Sequence, residues 1–282
     1  MPDKKKHSTF TNLLITLGAL LVCQEAFAQH SDTALYRRNK IKKITSYVHF
    51  NGFENSNDTC LYEVKEMNQS GKITRIWRNY SCNGYDMAVE IKYSYNKTGQ
   101  HIIKSEIFQN NTHADISEFI INEFGQTAEV HTQIFEPFGN VHVYHSYFGP
   151  LETPDSMLTM EITNGDTTHL KTEYNYVAGF IKSTNMVDVS NNKPMHNTSL
   201  KYDSKSRMIK STFVHFQLDD QNEITELTYN TLDQVVESRS DISAISAKFY
   251  YDKNGNLILT QYFNKFKTLE REVWNTFEIY DK

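Results

Sequence analysis

Cys60 and Cys82, His142 and His145, and the acidic group Asp219, Asp220 and Glu223 are the residues whose types and spacing could do chemistry. The two cysteines flank the turn Asn68-Gln69-Ser70-Gly71, eight residues before it and eleven after it. A hairpin about that turn sets them almost opposite one another, one pairing step apart, a mismatch that a bulge absorbs. Their bond would staple the first hairpin. A thiol nucleophile would need a Cys-x-x-Cys motif or a paired base, and neither is present. His142 and His145 lie three apart, so on a strand they point to opposite faces and do not easily share a metal. No His-Glu-x-x-His motif and no Cys/His cluster occurs. The acidic group matches no calcium loop, and no carboxylate pair can be nominated for sugar hydrolysis. There is no Gly-x-Ser-x-Gly elbow and no phosphate-binding glycine motif. The sequence therefore nominates no catalytic residue, no cofactor site and no metal site.

The compartment follows from the N-terminus. Lys4, Lys5 and Lys6 precede an apolar run from Leu13 to Val22, and Ala26-Phe27-Ala28 supplies a small-x-small cleavage pattern. That order reads as a secretory signal peptide over residues 1–28, cut between Ala28 and Gln29. Lipoprotein processing at Cys23 is the rival, but Val22 stands where a small residue is wanted. Removing 28 of 282 residues leaves 254, with 26 Lys and Arg against 32 Asp and Glu, a net charge of −6. Export supports the disulfide between Cys60 and Cys82. A mild acidic excess argues against nucleic acid as a partner. No further apolar stretch approaches the ~20 residues of a membrane-spanning helix. Arg37, Arg38, Lys40, Lys42 and Lys43 form a basic cluster, read as a solvated terminal segment.

The elements that would position any site come from internal repetition. Several segments share an alternating strand ending in an aromatic residue, then Asn or Asp, then a turn, then a second strand. The fullest copy is Tyr251-Asp252-Lys253-Asn254-Gly255-Asn256-Leu257. Others centre on Asn68 with Gly71, Asn96 with Gly99, Asn122 with Gly125, Asn175, Asp203 and Asn230, and the chain ends on Tyr280-Asp281. The Asn/Asp position recurs at steps of 28, 26, 53, 28, 27, 22 and 29 residues, the long step hiding a degenerate copy near Phe148-Gly149-Pro150. Ile91, Tyr93 and Tyr95 alternate with Glu90, Lys92 and Ser94, a period of two that makes one sheet face apolar and the other polar. The Asn or Asp side chain closes the turn, and Gly accepts positive φ.

The expected fold is all-β: repeated antiparallel hairpins, about eight units of about 27 residues, or about sixteen strands. An open sheet seldom exceeds ~10 strands, so this one should form a large curved sheet, a shell or an elongated solenoid, or close into a barrel. Residues 29–59 read as a lead-in segment and 60–282 as the repeat domain. A break between halves is expected at 149–166, where two prolines and Thr163-Asn164-Gly165-Asp166 fall.

The run from Tyr251 to Leu257 resembles the Tyr-Asp, or RHS-type, repeat of bacterial envelope and secreted proteins. The resemblance implies a β-architecture in an extracytoplasmic setting. Large members of that family enclose a toxic C-terminal domain, for which this chain has no length, so no activity is carried over. Together these features describe an exported, non-enzymatic binding or scaffold protein of the cell envelope. Its partner would be a protein or a glycan, and its location the periplasm, the outer surface or the medium. The alternatives are an outer-membrane β-barrel, favoured by the strand count and opposed by the polar composition, or a hydrolase acting on polysaccharide.

Overall fold

The computed structural model describes residues 33–51, 59–84, 86–122, 126–135, 141–150, 153–163, 165–216, 222–241 and 245–281. The signal peptide, its cleavage pair Ala28 and Gln29, the turn glycine Gly125, and Asp219 and Asp220 lie outside the described residues.

Antiparallel strands run from β1 (Ile41–Phe50) to β18 (Leu269–Ile279), and each pairs with its neighbours in the chain. The first strand also pairs with the last, from Ile41 opposite Ile279 to Phe50 opposite Arg271. The sheet is therefore a closed 18-stranded up-and-down barrel, where the repeat left open sheet, shell, solenoid and barrel undecided. Closure removes every sheet edge, so no strand presents unpaired N–H and C=O groups to another chain. The segment read as a lead-in supplies β1 and a short helix over residues 33–38. Within the range 149–166, β9 (Ser156–Thr163) pairs on both sides, with β8 (Val141–Phe148) and β10 (Asp166–Val177).

The turn chemistry explains the repeat. At Asn68, Asp203, Asn230 and Asp252 the side-chain oxygen accepts the backbone N–H of both the second and the fourth residue that follow. Asn96 and Asn122 accept from the fourth. The third residue after the Asn or Asp takes a left-handed conformation, with φ +79° at Gly71, +68° at Gly99 and +86° at Gly255. Ser206 and Asp233 occupy the same place without glycine, at φ 64° and 61°. A register shift falls one step before the turn, as at Ser94/Tyr95 and Tyr250/Tyr251. At Asn68, Asn122, Asp203, Asn230 and Asp252 the backbone N–H bonds the carbonyl four residues on, the three-residue hairpin loop whose type I turn ends in a bulge; at Asn96 the loop is one residue longer, closing on His101.

Asn175 is the exception. It lies within β10 (Asp166–Val177), and the bend comes at Ala178 and Gly179 with φ 52° and 81°. Tyr176 takes the place that Tyr95 holds elsewhere, so this unit is displaced along the chain. Asn264, by contrast, builds the same turn at the opposite mouth of the barrel.

The aromatic residue has its own task. Tyr95, Tyr202, Tyr229 and Tyr251 each donate the hydroxyl to the backbone carbonyl at the start of the preceding strand: Ile73, Ile181, Met208 and Val235, at 2.6 to 2.8 Å. Each hairpin is thus tied at its turn end as well as along its ladder. Those turns share one mouth of the barrel with the start of β1 and the end of β18.

The helix over 33–38 lies at that mouth beside the seam. Tyr36 is buried among Ile41, Ile44, Met67, Ile73 and Ile76. Arg38 donates to the Asn254 carbonyl at 2.9 Å, and the Asn39 amide to Asn256 Oδ1 at 2.6 Å. Residues on both sides of the seam are thereby held by one short segment. At the far mouth the predicted disulfide is present, Cys60 to Cys82 with Cα atoms 5.8 Å apart. Cys82 stands in the 3-10 turn Tyr80–Asn83 beyond β3 (Ile73–Asn79), not on the paired strand, so the bond ties the strand to the following loop.

Candidate functional site

Tracing the register separates the two faces of the wall. Ser46 faces Glu63, which faces Arg78, and that side continues into Val89. A second row on the same side runs through Ser105, Ser117, Thr132, Val143 and Glu161. A third runs through Met157, Thr172, Met186, His196 and His215. The strand residues that are buried fall on this side, including Val141 and Val143 at 1% exposure. In a closed sheet the convex face is the exposed one, so the shielded side is the enclosed one.

The outward face is ionic. Arg75 bonds Glu66 at 2.9 Å and Glu90 at 2.5 Å, and Lys92 adds a contact to Glu90 at 3.3 Å. Lys43 pairs with Glu278, Lys171 with Glu173 and Lys210 with Glu226 across or along neighbouring strands. A shallow hollow of about 270 Å³ on this outer face, lined by Lys210, Glu226 and Arg239 among others, is part of the same wall. Exposed apolar residues also lie on this face: Tyr250, Leu259, Trp274, Tyr47 and Leu61 form a continuous row across five strands, and Ile103, Ile120, Phe148, Phe180 and Ile258 stand at strand ends of the turn mouth.

The enclosed face carries polar groups of three kinds. The first is cationic. Glu63 is bonded by Lys65 at 3.0 Å and by Arg78. Burial alone would push its carboxyl up, but Lys65 and Arg78 outweigh that and hold it below its ordinary value. Tyr62, which the ladder skips between Leu61 and Glu63, is kept above its usual value by burial, while Arg78 and Arg271 pull it down. Arg271 lies over the ring of Tyr262, 4.2 Å from its centre.

The second kind is a buried neutral strip. His145 Nδ1 lies 2.9 Å from the Thr159 hydroxyl, and burial lowers its pKa to about 4. His196 lies tilted against Phe213, with ring centres 5.2 Å apart, and burial with some help from His215 lowers it to about 4. Both imidazoles are neutral at physiological pH. Thr172, 6% exposed, has a hydroxyl with no partner among the described residues. The third is Asp115, between Ile107 and Ile134 on their ladder row; its Oδ1 has no partner among the described residues, and burial raises the carboxyl to about 7.

His142 faces outward, opposite Gln133, and His145 inward, opposite Val130, as a spacing of three dictates. Among the described residues no three His, Cys, Asp or Glu side chains gather as metal ligands. Arg38 and Lys43 of the basic cluster are tied to Asn254 and Glu278, not left as a free tail. Sequence reasoning passed over Tyr62, Arg78, Arg271 and Asp115. Their signal was phase: Arg78 shares the alternation of Ile76, and Arg271 that of Val273, so both are cations on the apolar side of a strand.

No family model matches the chain, and no curated protein does. Among solved structures it is similar to a porin-like protein from Bacteroides uniformis, at 7% identity over 84% of this chain and 98% of that one, with a TM-score of 0.44. A porin-like protein from Bacteroides vulgatus gives 12% identity, the same coverage and a TM-score of 0.41. A chain of the TcdB2-TccC3-Cdc42 structure gives 11% identity over 81% of this chain and 14% of that one, with a TM-score of 0.31. Likenesses at these scores assign no function, so the reading below rests on the wall itself.

Proposed function

We propose that this chain is an exported β-barrel of the cell envelope that stands in water and binds a ligand on its enclosed face. The observation that carries this is the division of the wall. Mid-strand charges such as Arg75, Lys92, Lys171 and Lys210 point outward, and the shielded side chains point inward. A Lys or Arg on a lipid-facing barrel wall costs about 2–4 kcal/mol near the bilayer midplane. Four of them would cost on the order of 10 kcal/mol, comparable to the whole stability of a typical domain. Against water the same residues cost little. The enclosed face offers aromatic rings, neutral imidazoles and a few cations, a mixture suited to holding a molecule.

Fractionation tests the reading. Expressed with its leader in a Gram-negative host, the chain should leave the membranes on carbonate washing and stay monodisperse without detergent. Retention in the membrane pellet together with a requirement for detergent would reject it.

That outcome would support a second reading, an outer-membrane barrel. Its specific support is an even strand number, with the first strand starting and the last strand finishing at one mouth. Connections at that mouth run from two to seven residues and at the other from two to nine, a slight asymmetry in the expected direction.

A further inference from the structure

We infer that the mouth carrying the Asn and Asp turns docks on the surface of an anionic lipid bilayer, its rim of exposed apolar side chains entering the headgroup layer. The inference goes beyond the enclosed-face reading and shares with it a wall that stands in water. Ile103, Ile120, Phe148, Phe180, Ile209 and Ile258 are each 36% to 50% exposed, and each is the first or second residue from a strand end at this mouth. The strands that carry them are spread round the closed sheet, so the residues make a rim and not one patch. The helix over 33–38 fills the sector beside the seam, where Arg37 and Lys40 are exposed.

The shape and charge of the rim select its occupant. Only a flat, extended partner touches side chains set round a whole mouth at once. Lys40, Lys97, Lys182, Lys201 and Lys253 are exposed at the same mouth and make no ion pair with another described residue. The acids beside them are engaged: Asp203 and Asp233 by Arg207 and Lys205, Asp252 by Asn256, and Glu278 by Lys43. A second copy set mouth to mouth would crowd these cations together, whereas lipid phosphates pair with them. Lys104 and Lys210 follow Ile103 and Ile209 directly. At about 3.3 Å per residue the rim can therefore dip about 7 Å, the depth of the headgroup boundary, before charge halts it. The long lysine stems let those ammonium groups reach back to the phosphates.

The test uses the mature, disulfide-bonded chain and sedimentation with vesicles of phosphatidylcholine, alone or containing phosphatidylglycerol. The chain should bind the anionic vesicles about tenfold or more tightly than the neutral ones, and carbonate should release it. Phe148→Ser with Ile120→Ser should weaken binding about tenfold at an unchanged urea midpoint. Phe216→Ser with Phe266→Ser removes side chains 51% and 75% exposed at the far mouth and should leave binding within about twofold. Lys97→Gln with Lys253→Gln should weaken binding about fivefold per charge on anionic vesicles only. Equal losses from the two apolar pairs, or none from the lysine pair, would overturn the docking. Failure of the wild type to bind either vesicle, or a concentration-dependent dimer in place of binding, would overturn it while leaving the enclosed-face reading in place. Binding that resists carbonate would overturn both, because the wall itself would then be inserted.

Discussion

The hydroxyl of Tyr280 donates to the backbone carbonyl of Met67, joining the end of β18 to the end of β2 (Cys60–Met67) past the start of β1. It repeats at the seam the tie that Tyr95 makes to Ile73 inside the ladder. The two bonds differ in what they close: 22 residues of chain for Tyr95, 213 for Tyr280.

Removing either hydroxyl should therefore cost about the same, near 1 kcal/mol, if the barrel is closed in solution. Urea midpoints of Tyr280→Phe and Tyr95→Phe compare them. A loss at Tyr95 with none at Tyr280 would mean that the seam opens.

Gly71 and Gly99 occupy the same turn position, yet they should not tolerate alanine equally. A Cβ on Gly99 meets nothing within 4 Å, so Gly99→Ala carries the left-handed strain alone, about 1–2 kcal/mol. A Cβ on Gly71 would stand 2.5 Å from the Thr33 carbonyl and 2.6 Å from the Arg37 nitrogen. Gly71→Ala must also displace the helix, and its thermal midpoint should fall clearly below that of Gly99→Ala. Equal midpoints would show that the helix does not dock there.

Ser206 offers the reverse experiment. Its φ of 64° is the value glycine takes in the other copies. Ser206→Gly should be neutral to stabilising, by up to about 1 kcal/mol, despite the added freedom of the unfolded chain. A clear loss of stability would mean that the serine side chain has a role the turn geometry does not reveal.

Asp115 should make stability fall with rising pH. Its carboxyl moves from 3.8 to about 7 on folding, through burial. Below about pH 4 it is protonated in both states, and its effect is constant. Between 4 and 7 the unfolded chain ionises while the folded chain keeps its proton, so stability drops, by about 4 kcal/mol in all. Above 7 the loss is complete. Asp115→Asn should flatten that part of the profile and be the more stable protein at pH 8. Chemical denaturation at pH 4.5, 6 and 8 reads this directly, and an unchanged slope would reject it.

The sequence by itself determined the hairpin. Asn or Asp accepting nearby N–H groups, a left-handed residue three places on, and an aromatic residue before them are local events, and local chemistry is legible in order along the chain. Alternation showed that each strand has two unlike faces. Where local signals were degenerate, as at Asn175, the unit was present and its bend was displaced.

Only the tertiary structure decided that the sheet closes. Pairing of β1 with β18 joins residues more than 200 apart and uses a strand that carries no turn signature of its own. Nor could the sequence say which face is enclosed, since period two distinguishes faces without assigning inside and outside. Closure made that assignment: it turned the phase holding Glu66, Arg75 and Glu90 outward and placed Arg78, Arg271 and Asp115 on the inner wall.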